Sequence, residues 1–173
     1  MRFRGTVWRH VPQGAEPLHL GWIQLARGRW NTQRPRLACL YTALTVDGAL
    51  AEFRKHFVQT GLGAAPGMLR PRDLVSIEVS VEPLLNLTRA SVRQAVGVDA
   101  GLLTGDEPQS LSTCRRLALA AVEEGFRAIL APSAAAPGER TLMIYPESQL
   151  GRLTLRNGPD RLPINYGLDA LLG

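Results

Sequence analysis

Four short stretches of the chain hold side chains that could do chemistry together. They are Gly28-Arg29-Trp30-Asn31, Leu40-Tyr41-Thr42-Ala43, Ala49-Leu50-Ala51-Glu52-Phe53-Arg54-Lys55-His56 and Pro132-Ser133-Ala134. Arg29 carries a planar fork of N–H donors that matches phosphate or carboxylate oxygens. Glu52 follows Ala49 by three residues and precedes Phe53, so it borders the apolar stripe of a helix, with His56 one turn further along the same side. A carboxylate placed there is partly shielded from water, which costs free energy unless a partner or ligand holds it. A local ion pair with Lys55 or His56 would satisfy it equally well. Arg29 in a glycine-containing loop could also be a solvent residue, Tyr41 a core residue, and Ser133 after Pro132 a turn residue.

The charge distribution points the same way. The net charge is +5, but residues 1–72 hold eleven Arg or Lys against three acids, and residues 73–173 hold nine against twelve. The N-terminal part is therefore +8 and the remainder −3. Lys55 is the one lysine among twenty basic residues. An anionic ligand near the N-terminal half fits this bias, although heavy arginine use on a solvated surface would produce it too. Direct nucleic-acid binding is not expected. Arg27, Arg29, Arg34 and Arg36 are interleaved with few aromatics, and no helix-turn-helix, zinc-finger or RNP pattern occurs.

The elements that must position these residues can be read from periodicity. A short strand is expected at Val7 to His10, then a turn-rich stretch over 11–35, then a buried strand from Leu37 to Leu44. A helix follows, capped by Thr45 or Asp47 and stopped at Gly61, with Ala49, Leu50, Phe53 and Phe57 as its stripe. Residues 61–72 contain three glycines and two prolines and read as a loop. From Leu74 to Val81 the pattern alternates, with Val75, Ile77, Val79 and Val81 on one face and Ser76, Glu78 and Ser80 on the other. That implies a sheet covered on one side. Further helices are expected from Thr88 to Val96, closed by Gly97, and from Ser112 as cap to Glu124, stopped by Gly125. Phe126 to Ala131, Thr141 to Tyr145 and Arg152 to Leu155 read as strands. Strands outnumber intervening helices late in the chain, so the expected class is α+β, with antiparallel or mixed sheets and about three helices.

Composition bounds the rest. A chain of 173 residues, 45% hydrophobic and 20% charged, suits one domain over 1–173 and excludes a disordered tail, a collagen and a coiled coil. The longest aliphatic run, Leu117 to Val122, is far short of the roughly 20 residues a membrane span needs. The N-terminal Met-Arg-Phe-Arg-Gly-Thr-Val-Trp lacks the apolar core of a signal peptide. Cys39 and Cys114 lack zinc-site spacing and read as reduced packing residues, so a cytoplasmic location is expected. There is no P-loop, no GxSxG and no HExxH. Gly61-Leu62-Gly63 has Pro66 where a dinucleotide fingerprint needs its third glycine. His10, His19 and His56 are too scattered for a metal site, and no metal is expected.

In order and spacing, residues 28–31, 40–43, 49–52 and 132–134 resemble the RES domain, a family named for its arginine, glutamate and serine. Its pattern is a Gly-Arg-aromatic-Asn loop, a Leu-Tyr-Thr-Ala strand, an Ala-Leu-x-Glu helix and a later Pro-Ser-Ala. The Glu52-x-Arg54-x-His56 variant is similar to one branch of it, and Gly125-Phe126 also fits, so the resemblance spans nearly the whole chain. Two departures stand out. Arg27 replaces the small residue often found before the Gly-Arg pair, and Tyr145-Pro146-Glu147-Ser148 stands where many members have an Asn-Pro-x-His-like turn.

The resemblance implies a fold similar to ADP-ribosyltransferases and a toxin of a toxin–antitoxin pair, partnered by an Xre-like DNA-binding antitoxin. It implies consumption of NAD by phosphorolysis or hydrolysis, with inorganic phosphate as a co-substrate in the first case. Protein ADP-ribosylation on the same fold is the alternative, and a non-catalytic module docking an acidic partner is a third reading. By the same carry-over Arg29, Tyr41, Glu52 and Ser133 form the site. Cleaving the nicotinamide–ribose bond builds positive charge on the ribose, as in glycoside cleavage. Arg29, with Arg54 as a second cation, would then hold phosphates, and Tyr41 would pack the nicotinamide or ribose. Glu52 would bind ribose hydroxyls and stabilise the cation, and the Ser133 hydroxyl would fix the ligand.

Overall fold

The computed structural model describes residues 1–19, 28–59, 71–148 and 151–164, with the side chains of 57–59 left aside. Among the described residues, nine strands and four helices follow in the order β1 (Phe3–Pro12), β2 (Thr32–Gln33), β3 (Arg36–Leu37), β4 (Leu40–Ala43), α1 (Val46–Gln59), β5 (Arg72–Glu82), β6 (Leu84–Asn86), α2 (Ala90–Ala95), α3 (Ala100–Thr104), α4 (Pro108–Glu123), β7 (Ala128–Pro132), β8 (Arg140–Ile144) and β9 (Arg152–Pro163). The architecture is α+β, with four helices rather than three.

Seven strands form one mixed sheet in the order β6-β7-β8-β4-β1-β5-β9, and β2 and β3 pair separately. Every pair in the large sheet is antiparallel except β6–β7. That parallel pair is joined through α2, α3 and α4, the crossover such a connection requires. The sheet curls on itself. Val7 of β1 and Ile77, Val79 and Val81 of β5 share one buried cluster with Leu84, Ala128 and Leu130 from the far end of the strand order. The main-chain bond from Leu84 N–H to the Met1 carbonyl ties the β6 edge to the start of the chain. On the opposite face, α3 and α4 cover Ile129, Ala131 and Met143 through Leu103, Cys114, Ala118 and Ala121. Beside them Ala49 of α1 packs with Ala43 and Leu74.

The alternation in β5 is real, with Val75, Ile77, Val79 and Val81 all buried. Ser76 is buried too, contrary to a simple one-sided strand. The backbone of Gly158 lies on it, so close that a Cβ there would come within 2.2 Å of the Ser76 hydroxyl. That hydroxyl accepts the Asp160 N–H, beside the bulge between Val75 and Ile77. Strand β9 runs far beyond Leu155 because β5 offers it a long edge.

The expected Leu37–Leu44 strand divides in two. Arg36 and Leu37 pair with Thr32 and Gln33, while Leu40 to Ala43 join the large sheet against β8. In α1 the cap is Thr45, whose Oγ1 accepts the Gly48 N–H at 2.9 Å. Helix α4 begins at Pro108, four residues before the expected cap Ser112, which is exposed within the helix. Proline at the first helical position has the right φ and needs no N–H partner, so it starts the helix without a side-chain cap. Gly97 and Gly125 terminate helices as expected, with φ of 71° and 86°. Helix α3 and strand β6 were not anticipated, being too short to show a period. The expected stop Gly61 and most of the 61–72 loop lie outside the described residues, as does the side chain of Phe57 at the end of the α1 stripe, but Arg72 already belongs to β5. No helix among the described residues is long and apolar enough to cross a membrane.

Candidate active site

The loop 28–31 is held from three sides. The Tyr41 hydroxyl accepts the Trp30 N–H at 2.6 Å and donates to Asn31 Oδ1 at 3.1 Å. The Tyr145 hydroxyl donates to the Trp30 carbonyl at 3.2 Å, and Arg115 Nε donates to the Gly28 carbonyl at 2.9 Å. Trp30, Asn31 and Tyr145 are buried. Tyr145 thus supplies a strut beneath the loop. Burial pushes the Tyr41 phenol well above its usual range, so at neutral pH it is a neutral group that both donates and accepts.

Arg29 leaves this loop with its side chain only 11% exposed. Its Nη1 donates to the carbonyls of Gly105 at 2.6 Å and Leu103 at 3.2 Å, at the end of α3. Its Nη2 reaches Asp106 Oδ1 at 2.7 Å. The other Asp106 oxygen meets Lys55 Nζ of α1 at 2.8 Å. Lys55, followed by the Arg29 guanidinium, holds the Asp106 carboxyl below the usual carboxylate range despite some burial.

Glu52 stands one turn before Lys55 on the same helix. Its Oε1 accepts the Ser133 hydroxyl at 2.7 Å. Ser133 is buried, and its Oγ also accepts the N–H groups of Ala135 and Ala136, at 3.0 and 3.2 Å. This turn follows the end of β7 and aims the hydroxyl at α1. Lys55 Nζ closes the circuit by donating to the Ala134 carbonyl at 2.7 Å.

Arg29, Tyr41, Glu52 and Ser133 therefore meet in one continuous set of contacts. It runs from Tyr41 through the Trp30 backbone to Arg29, through Asp106 to Lys55, and through the 133–134 turn to Glu52. The structure does not bring Arg54 to it. Arg54 is exposed and sits two positions beyond Glu52, about 200° around the helix. Lys55, three positions beyond Glu52, takes that place, and its ammonium goes to Asp106 rather than pairing with Glu52. Asp106, Arg115 and Tyr145 were not anticipated. No spacing pattern marks Asp106, an acid in the short turn between two helices. No group of three or more His, Cys, Asp or Glu side chains that could hold a metal comes together among the described residues. Cys39 and Cys114 are buried and unpaired, and burial raises both thiols, so they pack rather than react. His10 accepts from Arg72 at Nδ1 at 2.9 Å and packs edge-on against Phe53.

The RES domain model matches residues 6–161. The chain belongs to the RES family. It is also 34% identical, over 92% of its length and 75% of the relative's, to the probable NAD(+) phosphorylase Rv3189 of Mycobacterium tuberculosis. The crystal structure of the M. tuberculosis MbcT–MbcA toxin–antitoxin complex shares the fold, with a TM-score of 0.74 at 21% identity, covering 94% of this chain and 85% of that one. In this RES protein Arg29, Glu52 and Ser133, side chains from three parts of the sequence, are joined in one network.

The Tyr41 hydroxyl makes a simple prediction. In Tyr41→Phe the Trp30 N–H loses its acceptor and Asn31 loses one of its contacts, and a buried unsatisfied donor costs about 1–3 kcal/mol. A lowered denaturant midpoint with unchanged slope should show it; an unaltered midpoint would mean the loop is held by its other struts alone.

Proposed function

We propose that this RES protein degrades NAD by breaking the nicotinamide–ribose bond, acting as the toxin of a toxin–antitoxin pair. Family membership and the relative described as a probable NAD(+) phosphorylase support the substrate. The observation that carries the reading is the Glu52–Ser133 hydrogen bond lying next to the Arg29–Asp106–Lys55 chain. It puts a carboxylate beside a cationic region, which is what a substrate with a cationic ribosyl end and an anionic pyrophosphate needs. The fold proposed on this reading is of the ADP-ribosyltransferase type.

In the reaction the C1′–N bond breaks and its electron pair leaves with neutral nicotinamide. An oxygen of phosphate or water bonds to C1′, giving ADP-ribose 1-phosphate, or ADP-ribose with a proton released to solvent. Glu52 stabilises the developing oxocarbenium, a preorganised electrostatic effect. Ser133 orients Glu52 and shares the ribose hydroxyls with it. Arg29 binds phosphoryl oxygens through charge-assisted hydrogen bonds. Tyr41 acts chiefly by fixing the loop that carries Arg29, since its hydroxyl is used there, and leaves its half-buried ring to pack against the substrate. An Xre-like DNA-binding antitoxin is the proposed partner, and the cytoplasm, with its NAD pool, the proposed place of action.

Mass analysis after incubation with NAD, with and without inorganic phosphate, tests this. Nicotinamide with ADP-ribose or its 1-phosphate is the expected result, and the phosphate dependence identifies the acceptor. ADP-ribose retained on a protein would favour a transferase instead. Intact NAD in every arm would overturn the proposal and leave a binding module.

A further inference from the structure

Asp106 bridges the cations of Arg29 and Lys55 with one oxygen each, at 2.7 and 2.8 Å. We propose that Asp106 is a built-in competing anion, and that Arg29 and Lys55 together form a subsite for phosphoryl oxygens which the ligand fills by displacing the Asp106 carboxylate. Identifying the ligand as the pyrophosphate of a dinucleotide or as inorganic phosphate rests on the function proposed above; the two-cation subsite itself does not.

Three features carry the inference. First, neither cation depends on Asp106 for its position. Arg29 is also anchored on the Leu103 and Gly105 carbonyls, and Lys55 on the Ala134 carbonyl. Removing the carboxylate leaves both charges in place. Second, Asp106 is 52% exposed, whereas Arg29 and Lys55 are 11% and 22% exposed. The anion is thus the outer, solvated member of the bridge, and such a partner is readily exchanged. It sits in the short connection between α3 and α4, where a side-chain rotation frees both cations without moving a helix. Third, the geometry suits phosphate. A carboxylate spans the two cations with two oxygens, and a phosphoryl group offers three, with more charge. The Lys55 end of the bridge touches the turn that carries Ser133, the partner of Glu52. An anion bound there would be held beside the proposed reacting centre.

Calorimetric titration of the full chain with inorganic phosphate and, separately, with ADP-ribose tests this without requiring turnover. Asp106→Asn keeps the side chain's size and removes its charge. It should bind at least one of these probes roughly two- to fivefold more tightly than wild type, the scale of one half-exposed ion pair that no longer has to be broken first. The arm that gains identifies the source of the phosphoryl group. Lys55→Gln should weaken the same arm, and the double variant should lose the gain. Equal or weaker binding of both probes by Asp106→Asn, with a wild-type melting temperature, would overturn the proposal and leave Asp106 as a positioning residue. Should Asp106→Asn fold poorly, unchanged affinity in a folded Lys55→Gln would overturn it equally. A gain in affinity in a protein that does not consume NAD would sustain the subsite and reject the function; NAD turnover without the gain would do the reverse.

Discussion

Glu52→Gln is expected to lower NAD turnover by a factor on the order of 10²–10³, equivalent to about 3–4 kcal/mol of barrier, with folding intact. The substitution keeps the shape and an acceptor for the Ser133 hydroxyl, so the bond across the 81 residues separating them can persist. What disappears is the negative charge facing a ribose that becomes cationic as nicotinamide departs. Because that charge matters mainly in the transition state, the loss should fall on kcat more than on KM. Steady-state rates paired with thermal melts check it. A variant with wild-type kcat would remove Glu52 from the chemistry, and one with unchanged kcat and a raised KM would make it a binding group.

Gly28→Ala is expected to have the second-largest effect, although the residue carries no functional group. A Cβ at Gly28 would come within 2.1 Å of Asn31 Oδ1 and 2.6 Å of the Tyr41 hydroxyl. Asn31 is 1% exposed and Tyr41 is tied to the Trp30 backbone, so neither can yield without breaking the struts of the loop. The need for glycine here is one of space. Its φ is not in the left-handed region that Gly97 and Gly125 occupy. Overpacking of this kind costs about 1–3 kcal/mol. The larger consequence is functional: Arg29 is the next residue, and a shift near 1 Å in a positioned group can cost about 10²-fold in rate. A modest fall in melting temperature with a turnover loss of that order is the expected pair. Wild-type turnover would show that Arg29 is positioned by its contacts to the Leu103 and Gly105 carbonyls rather than by the loop.

How the site was legible follows from these residues. Arg29, Tyr41, Glu52 and Ser133 could be picked out because each sits in a short recognisable stretch, and Glu52 because it borders the α1 stripe. The cap at Thr45 and the helix stops at Gly97 and Gly125 are local devices, written within a few residues. The β5 alternation is equally local. Short elements without a period, such as β6 and α3, escaped. The Leu37–Leu44 stretch looked continuous because apolar residues fill both β3–β4 and the crossing between them, and pairing partners far away decided where it broke.

By itself, then, the sequence determined the α+β class, the stripe of α1 and the alternating strand, since backbone preference and hydrophobic periodicity act over one or two turns; the four candidate side chains were marked by their resemblance to the family's motifs. Only the tertiary structure decided which cation stands near Glu52, that Lys55 rather than Arg54 occupies that place, and that Asp106, 77 residues from Arg29, links the two. Such pairings depend on how the curled sheet brings the α3–α4 turn, the end of β7 and α1 together. No spacing along the chain encodes that, because it is the packing of apolar faces that sets the distance between charges so far apart in sequence.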